Sequence, residues 1–233
     1  MPKGVGKALE RAITTKGESI EEEGEGKFEF MNKNRQEIFQ YLCLHPCSYS
    51  SMISRSTGLS LHATNWHLRR LVESEFISKK RIGKKTVFFP ADMLAMEDLP
   101  LLEILNTDKA KAIYLAVVEK NGISQGEICE MLGLKHQAVI WYSKKLESLG
   151  LISSLEDGKF RRYYPTELLH RKKDESTKRL KIFKDKMLKR FQRERLSPTI
   201  LRSTDDKIVV RIARGRSKAV LTLHTNPFIT VLS

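Results

Sequence analysis

The sequence predicts a mainly α-helical fold with small β-hairpins, in which one unit of three helices and a hairpin occurs twice, followed by a long basic helix and a C-terminal β-hairpin. Three observations carry this expectation: a self-match at a constant offset, helical spacing of apolar residues ahead of short strands, and a change to strand-forming residues beyond Pro198. The self-match is ungapped at an offset of 75 residues and gives 11 identities in 38 positions. Ile53, Gly58, Leu59, Ala63, Leu71, Ile77, Ser78, Gly83, Lys84 and Pro90 meet Ile128, Gly133, Leu134, Ala138, Leu146, Ile152, Ser153, Gly158, Lys159 and Pro165. Trp66 meets Trp141, and these are the chain's two tryptophans. Both tryptophans in register with the Gly and Pro punctuation mark a duplicated unit.

Each copy reads as the same run of elements. The first helix covers residues 34–45, with Ile38 and Leu42 one turn apart, and residues 108–120, with Ile113 and Val117. Ser48 and Ser124 stand where an N-cap should begin the second helix, and Glu127 completes a Ser-x-x-Glu capping box in the later copy. Gly58 and Gly133 close that helix, because glycine enters the left-handed region without strain. A third helix follows Ser60 and Lys135, with Thr64, Leu68 and Leu71 on one face of the first and Val139, Ser143 and Leu146 on one face of the second. A basic Gly-containing turn and an aromatic strand ending at Pro90 or Pro165 complete the unit. Helix, helix, Gly-marked turn, helix and hairpin is the plan of a winged helix-turn-helix.

Gly58-Leu59-Ser60 followed by Trp66-His67-Leu68-Arg69-Arg70-Leu71 resembles the recognition-helix pattern of ArsR/MarR-type regulators of archaea and bacteria. The later copy departs from it, with Tyr142-Ser143 in place of His67-Leu68. The resemblance covers residues 31–165 and implies a double-stranded DNA partner and a dimer. The expected organisation is a mobile arm at 1–30, winged helices at 31–91 and 92–166, a basic amphipathic helix at 167–196 and a β-rich segment at 197–233.

In such a fold the third helix enters the major groove, its apolar face turned back to the core. With Thr64, Leu68 and Leu71 inward, His62, Asn65, Trp66 and Arg69 face out, with Arg70 beside them. Asn bonds adenine bidentately and Arg bonds guanine. The turn from Lys79 to Lys85 holds Lys79, Lys80, Arg81, Lys84 and Lys85 around Gly83, a loading suited to phosphates. In the later copy the equivalent candidates are Gln137 and Lys144 on the helix and Lys159, Arg161 and Arg162 on the wing. There Ile140 and Trp141 fit a protein partner as readily as DNA.

Charge follows the same division. The chain carries a formal charge of +14, of which residues 1–30 hold −2, residues 31–90 hold +7, residues 91–165 hold −2 and residues 166–233 hold +11. Leu180, Phe183, Met187, Leu188 and Phe191 recur at helical spacing within the last segment, which predicts a long amphipathic helix serving a dimer or an interdomain contact. Its apolar face lacks Trp and is interrupted by Lys, which argues against a membrane surface. Residues 207–213 and 218–224 predict the C-terminal hairpin, with 228–232 as a third strand.

Other chemistry finds little footing. The 233 residues hold three cysteines, too few for a disulfide framework, and Cys43-Leu44-His45-Pro46-Cys47 lacks a fourth metal ligand. No phosphate loop, dinucleotide fingerprint or nucleophile elbow is present, so neither an enzyme nor a cofactor is expected. No apolar run reaches the roughly 20 residues of a membrane span, and the first 30 residues lack the apolar core of a secretion signal, which together predict a cytoplasmic, nucleoid-associated protein. The alternatives to sequence-specific regulation are a tandem scaffold binding proteins of a transcription or replication complex, and non-specific architectural binding of nucleic acid.

Overall fold

The computed structural model describes residues 29–232, so the expectation of a mobile arm at 1–30 falls outside the described residues except at its end. There Glu29–Met31 make a 3-10 turn that places Phe30, fully buried, in the core. Helix α1 (Lys33–Leu44) begins at Asn32, whose side chain accepts the Arg35 N–H at 3.2 Å. Helices α2 (Ser50–Thr57) and α3 (Leu61–Glu73) flank Gly58, whose φ of +71° turns the chain between them. Ser60 caps α3 by accepting the Ala63 N–H. Strands β1 (Ile77–Ile82) and β2 (Lys85–Pro90) then pair antiparallel around Gly83-Lys84.

After Pro90 a short helix, α4 (Leu99–Leu105), leads into α5 (Asp108–Glu119). The two-residue strand β3 (Ile123–Ser124) precedes α6 (Gln125–Leu132), α7 (His136–Ser148), β4 (Ile152–Asp157) and β5 (Phe160–Pro165). Every element from α2 to β2 recurs with the same bounds 75 residues later. The Ser124–Glu127 capping box forms as expected, but the Ser48 cap does not. Tyr49 occupies that N-cap without a side-chain bond, while the Ser48 hydroxyl donates to the His45 carbonyl at 2.7 Å. The offset explains the error: Ser124 corresponds to Tyr49, whereas Ser48 corresponds to Ile123. Both of the latter hydrogen-bond to the hairpin, Ser48 to Phe88 and Ile123 to Tyr163.

Helix α8 (Leu168–Arg193) runs 26 residues, about 39 Å at 1.5 Å per residue. Its apolar face is buried within this chain. The Phe191 ring lies 4.9 Å from that of Phe30 and 5.3 Å from that of Phe76, and Phe39 meets Phe30 at 5.1 Å. Such ring pairs add about 0.5–1.5 kcal/mol each beyond area burial. Ion pairs follow the same path: Arg190 and Lys186 to Asp92, Arg193 to Glu75, and Lys172 to Asp98. A dimer built on the apolar face of this helix would therefore compete with the fold itself.

The C-terminal segment forms an antiparallel sheet ordered β6 (Ser197–Ser203), β7 (Lys207–Arg214) and β8 (Ser217–His224). Its third strand precedes the other two instead of following them. Residues expected as a strand at 228–232 instead start in the helical turn α9 (Pro227–Thr230). Asn226 caps that turn by accepting the Phe228 N–H, and Pro227 sits where a missing N–H costs nothing. The inner sheet face buries Val210, Ile212, Leu221 and Leu223 in the same core as Phe183, Met187 and Phe191, and Ile208 is buried as well. Gln40 of α1 accepts the Thr222 N–H at 2.8 Å, covering the open edge of β8.

Candidate nucleic-acid interface

Helix α3 and the β1–β2 hairpin are held at a fixed angle by the core beneath them. Thr64, Leu68 and Leu71 are buried as their spacing predicts, and Val87 and Phe89 anchor the hairpin. His67 is buried too, its ring nitrogen 3.3 Å from the Asn34 amide, and burial together with the Arg35 charge lowers its pKa to about 4. It is a buried, neutral packing residue.

Between helix and hairpin lies an open groove of about 930 Å³. Asn65 and Arg69 line it from α3, and Lys79, Lys80, Arg81 and Lys85 line it from the hairpin. The structure thus brings together six of the candidates. Lys84 stands exposed at the turn beside them, and Arg81 donates to the Gly83 carbonyl at 3.2 Å. His62 and Trp66 are exposed but lie outside the groove lining; the Arg35 guanidinium sits 5.1 Å over the Trp66 ring. Arg70 is half-buried and pairs with Glu73 at 3.3 Å.

Sequence reasoning missed the other groove residues. Ser50 and Ser51 at the start of α2, together with Tyr49 and Thr86, also line it. The Lys85 ammonium stands 4.4 Å over the Tyr49 ring, whose hydroxyl donates to Glu103 of α4. Burial and that bond raise the Tyr49 pKa and keep it a neutral donor. Only the offset that aligns Tyr49 with the capping Ser124 pointed to this position.

The later unit repeats the geometry without the charge. Gln137 and Lys144 are exposed on α7. Arg161 is paired with Glu147 at 2.9 Å, and Arg162 with Asp157 at 2.5 Å. Lys159 lies 5.5 Å over the Phe160 ring. Where the first hairpin has Lys80, Arg81 and Lys85, the second has Leu155, Glu156 and Phe160. Trp141 is 57% exposed, Leu155 63% and Phe160 49%, while Ile140, expected to be exposed, is half-buried.

Residues 107–153, from the N-cap of α5 into β4, match the family model of winged helix-turn-helix DNA-binding domains. The chain contains a winged helix-turn-helix. It is also 34% identical over 138 residues to an uncharacterized HTH-type transcriptional regulator of Methanocaldococcus jannaschii. That match covers 59% of this chain and 34% of the relative, so the chain spans about a third of the curated relative's length. Among solved structures, ScpB from Mycobacterium tuberculosis aligns with 59% of this chain and 93% of its own at 16% identity, with a TM-score of 0.24 that carries no argument. The winged helix named by the family model is the later unit, the one with fewer free cations.

Among the described residues no group of three His, Cys, Asp or Glu side chains could hold a metal ion. Burial raises the pKa of the Cys43 and Cys47 thiols, which keeps both protonated. Among the same residues no helix is long and apolar enough to cross a membrane.

Proposed function

We propose that this chain is a sequence-specific transcription regulator with two winged helices in tandem, residues 31–91 and 92–166, and that it binds double-stranded DNA through the earlier one. The earlier one reads bases with Asn65 and Arg69 on α3, and its wing grips phosphates. The observation that carries this reading is the shared groove, in which two base-reading side chains face four cations of the hairpin. Asn and Arg have the donor and acceptor geometry for adenine and guanine edges. Cations on the wing fix register on the duplex without reading sequence. The similarity to an HTH-type transcriptional regulator supports the same reading.

Selection from a random duplex pool with the full chain tests it. One motif should be enriched, and Arg69→Ala should relax the preference at one position, a loss of about 1–3 kcal/mol of discrimination. Binding without any enriched motif would replace this reading with architectural DNA binding. Uniform weakening by Arg69→Ala would make Arg69 a phosphate contact.

A second reading concerns the later winged helix alone. Its exposed Trp141, Leu155 and Phe160, with its arginines neutralised by Glu147 and Asp157, favour a protein partner. That partner is a component of the transcription machinery or a second copy of this chain, because a homodimer has this apolar patch free and the face of α8 occupied.

A further inference from the structure

The open face of the C-terminal sheet carries a second line of cations, distant in sequence from α3 and its wing. Side chains alternate along a strand, so Val209, Arg211 and Ala213 lie opposite the buried Ile208, Val210 and Ile212. Arg202 faces Val209 from β6, and Lys218 faces Ala213 from β8. Arg202, Arg211 and Lys218 therefore step diagonally across all three strands on one face. Diagonal neighbours of this kind are separated by roughly 7–8 Å.

A β-bulge makes the line possible. Ile200 faces the inward-pointing Val210, and the register then shifts so that Arg202, not Leu201, stands across from Val209. Bulges re-aim side chains, and this one moves an arginine onto the open face in place of a leucine. All three cations are exposed, and none is in an ion pair with a described residue. Arg216 extends the line at the β7–β8 turn, while Asp205 and Asp206 sit in the β6–β7 turn, where the Thr204 hydroxyl donates to Asp206 at 2.7 Å. Lys207 shares the alternation of Arg211, so four strand cations stand on this face against the two carboxylates of the turn, and the face is net positive.

We infer that this face is a sequence-independent binding surface for the phosphate backbone of double-stranded DNA, separate from the α3 groove. The residues between the cations are Thr199, Val209, Val220 and Thr222, and the face has no Phe, Tyr or Trp. Single strands are held by stacking bases on aromatic rings, which this face lacks. Interfacial membrane binding needs a buried apolar stripe with aromatic anchors, which it also lacks. A row of exposed cations on a rigid sheet fits a duplex backbone, whose charge is regular and whose bases stay stacked. The inference rests on DNA being the partner, but not on which winged helix reads it.

The test compares the full chain with Arg202→Gln/Arg211→Gln/Lys218→Gln on a random-sequence duplex, a single strand of equal length and phosphatidylserine vesicles. The slope of log affinity against log salt for the duplex should fall by about three units, at 0.9 for each phosphate contact. The motif preference should stay unchanged. The variant Arg202→Lys/Arg211→Lys keeps the charge and should keep the slope, which separates charge loss from a damaged fold. A slope change below one unit, or a loss confined to the single strand or the vesicles, would overturn the inference. Neutralising the wing in parallel distinguishes the two surfaces. If only the wing variant loses duplex binding, the sheet falls and the α3 reading stands; if only the sheet variant does, the α3 reading falls.

Discussion

Neutralising the wing is the most direct probe of the α3 interface. Lys80, Arg81, Lys84 and Lys85 are exposed, and none is ion-paired to a described carboxylate. Replacing all four by Gln therefore strands no partner charge. The folded chain loses the Arg81 bond to Gly83 and the Lys85 contact with the Tyr49 ring, together about 1 kcal/mol. Binding changes far more. Each phosphate contact contributes about 0.9 to the slope of log affinity against log salt, so four contribute about 3.6. Over the fourfold rise from about 50 to 200 mM salt, that is roughly 150-fold of affinity which the native chain loses and the variant does not. Fluorescence anisotropy with a labelled duplex at several salt concentrations measures both slopes, and a thermal melt confirms the fold. Equal slopes would refute the assignment of the hairpin as a phosphate clamp, whatever the absolute affinities.

Three further outcomes follow from the packing. Phe191→Ala removes a ring buried against Phe30 and Phe76 and should lower unfolding stability by about 3–5 kcal/mol; a urea midpoint that barely moves would mean α8 is not docked on the first unit. His67, with its pKa lowered from 6.5 to about 4, binds fewer protons folded than unfolded between those values, so its contribution is complete above pH 6.5 and is lost as pH falls toward 4. His67→Gln should flatten part of the fall in stability across that window, and an unchanged pH profile would place the ring in water. Trp141→Ser/Phe160→Ser should leave duplex affinity within about twofold while abolishing self-association or capture of a transcription component. A salt-dependent loss of duplex binding instead would show that the second wing contacts DNA.

Much of the fold was legible in the sequence because its signals are local. Helical spacing, the Gly58 and Gly133 caps and the two-residue hairpin turns act within a few residues, and duplication allows each copy to check the other. The one cap misplaced, Ser48, fell where a strand pairing overrode a local preference. Strand β6 was overlooked because Pro198, Thr199 and Ser203 give it little alternation and its outer half faces water. Phe30 was assigned to an arm by the composition around it, although its own side chain packs at the centre of an aromatic cluster.

By itself the sequence determined the duplicated helix-helix-helix-hairpin plan, the outward stripe of α3 and the concentration of charge in the first wing. Those properties follow from spacing along one chain. Tertiary structure decided which charges remain available, because pairing depends on residues remote in sequence. It neutralised Arg161 and Arg162 but left Lys80 and Lys85 exposed, and it turned the apolar face of α8 inward onto Phe30 and Phe76. It also aligned Arg202, Arg211 and Lys218 through a one-residue bulge, a register that no local pattern encodes.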